Sequence, residues 1–301
     1  MIPSTALFLK ESPSCVCQVF ASLASSDTLL AKKILETTSV LEYITRLESL
    51  DLLSLKCLHA LSRSCIVSHD CVSPLVKTVK TGEQEAVMLA SSTLVNVVAN
   101  LDNFERTDLH DLIGVFKSLL DNSFTRVHGI TGLMNMLFKS SDVQVRLAIL
   151  EQLGVEEIKS LLKDKEEEVV MKTLGFLRNL FKSSHSVMPG VMDCVLESMS
   201  YNAKRTEEAF CVFANIADSD KSCFDDHILE AVKQTLLTNQ DCSTLLAATL
   251  IVSNLVWNDD NGDWKTRLRI MGIEEALKNL LDTTDTQLFD KVKTTLEHFR
   301  R

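Results

Sequence analysis

Five asparagines recur along the chain, each followed directly by an apolar residue near the end of a helix-forming pattern. An asparagine side chain offers N–H donors and a carbonyl acceptor, so a row of them can hold the backbone of an extended peptide. We call this set the asparagine ladder: Asn96, Asn135, Asn179, Asn215 and Asn254. In a second interpretation each amide bonds to the backbone of a neighbouring repeat. The sequence leaves both interpretations open.

Three further residues lie close to the ladder in sequence. Lys139 and Trp257 each follow a ladder asparagine by about one helical turn, and Arg178 directly precedes one. The two cations could pair with acidic groups of a partner, and Arg and Trp are enriched at interface hot spots. Arg178 could also be a solvated surface residue, and Trp257 could pack between repeats. We include all three with the ladder as candidate partner-binding residues.

A group of cysteines and histidines could instead bind a metal. Cys57, His59, Cys65, His69 and Cys71 lie within one short stretch, and Cys and His are ligands that zinc prefers. Their spacing lacks the paired, closely spaced ligands of known zinc modules. We interpret the thiols as small buried apolar groups and expect no metal and no cofactor.

The segment 257–263 superficially resembles a calcium-binding loop. Placing Gly262 at the sixth position puts Trp257 at the first and Leu268 at the last, where the loop requires oxygen ligands. We therefore interpret the segment as a connection between repeats, bent at Asn261 and Gly262.

Motifs of catalysis are absent from the sequence. It contains no Gly-x-Ser-x-Gly, no phosphate-binding loop, no dinucleotide fingerprint and no His-Glu-x-x-His. Its seven histidines are spread over many repeats. We expect neither an enzyme nor a small-molecule substrate, and an active site assembled from distant residues stays as an alternative.

The spacing of the ladder predicts the fold. Its asparagines are separated by 39, 44, 36 and 39 residues, and only helical patterns lie between them, as in the helix predicted over 169–181. Self-similarity near 40 residues is typical of armadillo and HEAT repeats, which bury their apolar faces by stacking. The sequence therefore predicts an all-α, right-handed α-solenoid of the armadillo/HEAT type.

The repeats predict one continuous solenoid over residues 1–301. We expect a partial repeat at 1–26, with Pro13 starting its helix. Full repeats then follow at 27–66, 67–106, 107–140, 141–183, 184–219, 220–261 and 262–301. A chain that begins within a repeat leaves an apolar end uncovered, so we expect further repeats or another subunit to cover it.

Composition narrows the classes of partner. The chain is 46% hydrophobic and 24% charged, with a net charge of −10 and a pI near 5.2. A nucleic-acid binder neutralises phosphates with basic residues, so we expect no nucleic-acid partner. No apolar run approaches the ~20 residues of a membrane span, so we expect no membrane partner. Nine cysteines, an odd number, indicate a reducing compartment, the cytoplasm or nucleus.

The ladder resembles the third helix of armadillo repeats, but not that of the importin-alpha type. Importin-alpha-like proteins carry Trp four residues before each asparagine, where it clamps basic peptides. The corresponding residues here are Ser92, Thr131, Gly175, Cys211 and Leu250. An adaptor that binds cargo or signalling-protein peptides in transport or adhesion is therefore only our alternative function.

Several segments resemble the armadillo repeat-containing protein 8 family, from about residue 50 to the end of the chain. They are 57–64, 132–136, 170–175, 214–218, 252–258, 271–273 and 290–293. That family is a scaffold subunit of the GID/CTLH ubiquitin ligase. The resemblance implies that this chain corresponds to the C-terminal half, which docks the substrate-receptor subunit.

The resemblance also sets our expected function. It implies a non-catalytic scaffold in ubiquitin-dependent protein degradation, in cytoplasm and nucleus, whose concave ladder face grips the substrate receptor. Other ligase subunits would be further partners. Family members carry additional N-terminal repeats that attach to the ligase core. A fragment, a short isoform and a diverged paralogue all stay open.

Overall fold

The computed structural model describes residues 9, 11–47, 49–65, 67–101, 106–140, 142–182, 190–199 and 202–300, with the backbone alone at 106–108. The chain divides into two compact units, residues 1–153 and 154–301. Each unit is built from α-helices and short 3-10 turns, and the described residues include no β-strand. The predicted all-α class is confirmed.

Unit 1 contains nine described helices. They are α1 (Pro13–Ser26), α2 (Thr28–Thr37), α3 (Val40–Thr45), α4 (Leu52–Ser64), α5 (Val72–Thr81), α6 (Gln84–Asn100), α7 (Arg106–Ser118), α8 (Arg126–Lys139) and α9 (Val143–Leu153), with 3-10 turns at His69–Cys71 and Leu119–Asp121. Helix α1 begins at Pro13, as predicted. Pro74 is the third residue of α5, which follows directly on the 3-10 turn His69–Cys71.

The helices of unit 1 pack in two layers. In one layer α1 packs on α4, α4 on α6, and α6 on α8; in the other α5 packs on α7, and α7 on α9. Fully buried side chains such as Phe20, Leu58 and Phe116 fill the space between neighbouring helices. This burial supplies the main stabilising term, and it fixes the rotation of each helix about its axis.

Unit 2 also contains nine described helices. They are α10 (Val155–Leu162), α11 (Glu167–Phe181), α12 (Val191–Ser198), α13 (Ala203–Ser219), α14 (Asp226–Thr238), α15 (Cys242–Val256), α16 (Asp263–Ile270), α17 (Ile273–Asn279) and α18 (Thr286–Arg300), with 3-10 turns at Lys221–Cys223 and Leu280–Asp282. Helix α11 covers the predicted helix over 169–181 and starts two residues earlier.

Unit 2 repeats the arrangement of unit 1. Helix α11 packs on α13, α13 on α15, and α15 on α18, while α10 packs on α12 and α14 on α17. Phe176, Phe210 and Phe213 are fully buried between these helices. The helices that bear the asparagines therefore form one layer in each unit.

Side-chain caps fix where several of these helices begin. The Asp51 carboxylate accepts a hydrogen bond from the Ser54 N–H at 2.7 Å, and Asp241 accepts one from the Thr244 N–H at 2.9 Å. Such caps satisfy N–H groups that have no partner within the helix, and each contributes about 1 kcal/mol. They hold α4 and α15 in the register that the ladder needs.

The predicted domain boundaries are only partly covered by the described residues. Residues 66 and 183, where two predicted repeats end, lie outside them, as does most of the partial repeat before Leu9. The division at residues 153 and 154 falls inside the predicted repeat 141–183, between α9 and α10. The single continuous solenoid stays a prediction.

Candidate functional site

Every ladder asparagine lies at the same place on its helix. Each is half-buried and sits beside fully buried apolar residues, such as Val97 next to Asn96 and Leu255 next to Asn254. Because the apolar stripe of the helix points into the layer, the asparagine is held at the edge of that stripe. Its amide therefore faces the neighbouring helix on one side and solvent on the other.

In unit 1 these amides connect successive helices. The Asn135 Nδ2 donates to the backbone oxygen of Val95 at 3.3 Å, and the Asn96 Nδ2 donates to the Ser62 Oγ at 3.2 Å. Ser62 directly precedes Arg63 on α4, as Val95 directly precedes Asn96 on α6. The contact between α4 and α6 thus uses a side-chain hydroxyl as acceptor at the position where Asn135 finds a backbone oxygen.

Unit 2 shows the same geometry with shorter hydrogen bonds. The Asn215 Nδ2 donates to the Arg178 backbone oxygen at 2.8 Å, and the Asn254 Nδ2 donates to the Ala214 backbone oxygen at 2.9 Å. As in Asn135, the acceptor is the residue directly before the asparagine of the preceding ladder helix. Our second interpretation, bonding between repeats, therefore holds for these asparagines.

The inter-repeat bonds of Asn96, Asn135, Asn215 and Asn254 leave part of each of these four amides outside them. An asparagine amide has a second N–H and a carbonyl oxygen with two lone pairs, and one N–H is used in each bond described above. The remaining groups lie at half-buried positions along the layer. The arrangement can therefore both tie repeats together and offer a row of donors and acceptors to an extended chain.

Arg178 forms an ion pair within unit 2. Its Nη1 lies 3.0 Å from Oε2 and 3.3 Å from Oε1 of Glu208 on α13, and both side chains are partly exposed. A surface pair of this kind contributes little to stability, but it places a guanidinium and a carboxylate side by side next to the ladder. Lys139, by contrast, is exposed at the last position of α8.

Trp257 is held at the surface beside the end of the ladder. Its side chain is 51% exposed, and its ring meets the His298 ring edge to face, at 4.8 Å between centroids and 83°. The Lys221 Nζ donates to its backbone oxygen. A cavity of about 280 Å³ beside the two rings is also lined by Asp259, Asp260 and Lys265, among others.

Sequence reasoning missed the roles of two residues on neighbouring helices. His298 on α18 stands where the ladder helices carry asparagine, and the buried Leu296 and Phe299 mark its position. Ser62 on α4 directly precedes the corresponding position, which Arg63 occupies. The hydroxyl that accepts from Asn96 and the ring that meets Trp257 depend on side-chain contacts, which the spacing does not show.

The candidate zinc ligands are directed to separate partners. The Cys57 thiol is fully buried, where a hydrogen bond with the Cys17 thiol and burial raise its pKa. His59 Nδ1 lies 3.3 Å from the Thr93 hydroxyl. Among the described residues, no group of three or more His, Cys, Asp or Glu side chains is arranged to hold a metal ion.

The 257–263 segment is a helix-capping loop. The Asp259 carboxylate, mostly buried, accepts a hydrogen bond from the Lys265 N–H at 2.9 Å. The Gly262 N–H donates to the Asp259 backbone oxygen, and Gly262 has a φ of 71°. The loop therefore serves the start of α16. In the described part of the chain, no helix is long and apolar enough to cross a membrane.

Stacked short helices with an asparagine ladder define an armadillo-type helical repeat protein, the class of fold used for protein-binding scaffolds. Solved structures agree on the fold: an engineered protein matches at a TM-score of 0.77 and 18% identity, covering 100% of this chain and 78% of that one. UNC-45 from Drosophila melanogaster matches at 0.60 and 15%, covering 94% and 38%.

Curated relatives carry a single name, Armadillo repeat-containing protein 8. The protein from Danio rerio is 33% identical over 94% of this chain and 46% of its own length, and that from Mus musculus is 32% identical over the same shares. The predicted resemblance is confirmed. The chain spans about half the length of the curated relatives it matches. No family model matches it.

Proposed function

We propose that this chain is a non-catalytic, protein-binding scaffold of a GID/CTLH-type E3 ubiquitin ligase. It docks the substrate-receptor subunit along the ladder face, in the service of ubiquitin-dependent protein degradation. The relatives' name and the helical repeat fold support a protein-binding scaffold. The family resemblance supplies the ligase and the receptor.

One observation carries the proposal: within each unit the ladder amides are half-buried, and the bonds from Asn135, Asn215 and Asn254 to the preceding ladder helix use one N–H of each amide. An extended segment of a partner presents alternating N–H and C=O groups that such amides can pair. Each hydrogen bond contributes about 1 kcal/mol, so useful affinity needs several ladder helices together with apolar contact over roughly 1,600 Å².

The surroundings of the ladder favour this partner over basic cargo peptides. The positions one turn before the asparagines on α11, α13 and α15 are Gly175, Cys211 and Leu250, so no indole faces stand ready there to stack on cations. Arg178 already pairs with Glu208. The cargo-adaptor alternative therefore ranks second.

The test is calorimetric titration of the full chain with the receptor subunit, beside an Asn215→Ala/Asn254→Ala variant. We expect the parent to bind and the variant to bind at least about tenfold more weakly. Absence of binding by the parent would remove the receptor-scaffold function. Equal binding by both would move the site away from the ladder.

A matched control separates lost contacts from lost stability. Asn202 caps α13 and donates to Glu167 Oε1 at 2.9 Å, so Asn202→Ala also removes an inter-repeat bond, but away from the ladder. We expect Asn202→Ala to lower the melting temperature as the double variant does and to leave the receptor affinity unchanged. Weakened binding in both would attribute the effect to stability.

A further inference from the structure

The ladder residues put α13, α15 and α18 in a common register. Counting back seven residues from Asn215, Asn254 and His298 gives Glu208, Ala247 and Lys291. Two turns of helix separate each pair, so these residues lie on the ladder side of their helices. Helix α15 packs between the other two. On the ladder side of this layer, Glu208 of α13 and Lys291 of α18 therefore flank Ala247 of α15.

The surface of α15 at this place is apolar. Ala247 is buried, and Leu246 and Leu250 are half-buried, one turn apart on the same side of the helix. Ala247 carries only a methyl group, whereas Glu208 and Lys291 on the flanking helices are long. The register thus describes a shallow apolar recess over Ala247, bordered by the two leucines, with a charged residue on each neighbouring helix.

The two charged residues differ in what they contact. Glu208 pairs with Arg178. Lys291 is half-buried, and among the described residues its ammonium has no ion pair or hydrogen-bond acceptor. Burial alone lowers its pKa. Lys278 in the same unit shows the contrast, since it pairs with both Glu274 and Glu275.

A half-buried ammonium without an anion is costly, because water is displaced from it and nothing replaces that hydration. A peptide bound along the ladder can supply a carboxylate to pair with the Lys291 ammonium. Such a charge-assisted hydrogen bond is roughly twice as strong as one between neutral groups. The neighbouring acids of α18, Asp290 and Glu297, are both exposed, and burial alone accounts for the lowered pKa of Lys291.

We propose that Lys291 determines specificity on the ladder face of unit 2 by receiving an Asp or Glu side chain of an extended partner segment that lies across α13, α15 and α18. This rests on the proposed function only in taking the ladder face as a peptide-binding surface. Aliphatic residues of the same segment fill the recess between Leu246 and Leu250. The segment is thus an acidic and apolar one, although the whole chain is itself acidic.

The test uses random dodecapeptides displayed on phage, selected against the full chain and against Lys291→Met. Lys293→Met is the matched control, because Lys293 is exposed on α18 and points away from the ladder side. We expect peptides enriched on the parent and on Lys293→Met to share Asp or Glu at one position. On Lys291→Met that preference should be lost.

A synthetic peptide of the selected consensus then gives the magnitude. We expect its Glu→Gln version to bind the parent about tenfold more weakly and to bind Lys291→Met no differently. Lys291→Arg keeps the charge and should restore the preference for an acidic residue. It therefore shows whether the loss in Lys291→Met comes from the missing charge or from misfolding.

Three outcomes would overturn the proposal: enrichment without an acidic position, an acidic preference that Lys291→Met leaves intact, or no enrichment on the parent. None of these requires the receptor subunit. If the chain failed to bind the receptor subunit but still selected acidic peptides through Lys291, the ligase role would be removed. The recognition of acidic peptides by Lys291 would remain.

Discussion

Single side chains on the ladder helices serve packing and, in the function that we propose, recognition as well. The Asn254 amide spends one N–H on the Ala214 carbonyl and keeps its other groups at a half-buried surface. An apolar residue there would pack equally well but offer nothing to a partner, and a charged one would be costly to bury. Asn is a compromise that a repeat protein can use at every step.

Close packing beneath the ladder gives the first prediction. An added Cβ at Gly132 on α8 would lie 2.1 Å from the fully buried Phe116 ring. We expect Gly132→Ala to lower the free energy of unfolding by about 1–3 kcal/mol, because the ring must move within a filled core. Urea unfolding followed by circular dichroism measures this.

Gly114 on α7 is the matched control for that substitution. Its added Cβ would meet only the Gln152 Oε1, at 3.8 Å. Gly114→Ala should therefore stabilise the chain by about 0.5–1 kcal/mol, since alanine is the better helix former. If both substitutions changed the free energy of unfolding in the same direction, the contact with Phe116 would not be what determines the effect of Gly132→Ala.

Between elements, α11 and α13 are joined at their first turns as well as through the ladder. Arg205 is mostly buried, and its Nε donates to Glu167 Oε2 at 2.8 Å, while Asn202 donates to the same carboxylate. The hydrogen bond from Arg205 is the main reason that the pKa of Glu167 lies below its ordinary value near 4.5. Two separate ties thus fix the angle between these helices.

The ion pair between Arg205 and Glu167 makes the free energy of unfolding of unit 2 depend on pH in the acidic range. The pKa of Glu167 is lower in the folded than in the unfolded chain, so its contribution is complete above about pH 4.5 and is lost as the pH falls through the folded pKa. Glu167→Gln should be less stable than the parent at pH 7 and lose less stability on acidification. Urea unfolding across that range tests it.

The neighbouring acid supplies the comparison for this experiment. Glu168 lies on the same first turn of α11, but Arg205 and Asn202 donate to Glu167. Glu168→Gln therefore leaves that ion pair intact and should follow the pH dependence of the parent. If Glu167→Gln also followed it, the carboxylate would contribute nothing that titrates in this range.

At the scale of the whole chain, each compact unit has its own buried core. We expect the fragment 154–301 to be helical and to melt cooperatively, because contacts between its own successive helices stabilise such a stack. The shorter fragment 190–301 should melt at a lower temperature, since it lacks α11 and with it the acceptors of Asn215 and Arg205. Calorimetry of both fragments measures the difference, and equal melting would show that α11 contributes nothing to the fold of α13.

The periodicity of the sequence predicted the repeats because residue types alone distinguish the buried apolar stripe of a helix from its polar edge. It could not predict that the Asn215 amide reaches the Arg178 carbonyl or that Arg178 pairs with Glu208, because these depend on helix rotation and rotamers set by the packed core. Lys291 was invisible for the same reason: its half-buried place depends on how α18 packs against another helix.

The geometry of the ladder also decides where the chain can change length. The Asn135, Asn215 and Asn254 amides each meet the carbonyl one residue before the preceding ladder asparagine. One residue inserted before Asn215 within α13 would rotate it by about 100° away from that carbonyl. The connections carry no such constraint, which is why the asparagines stand at intervals of 36 to 44 residues. Over evolutionary time the helices should keep their length while insertions and deletions accumulate between them, so that the asparagine ladder stays in phase as the repeats diverge.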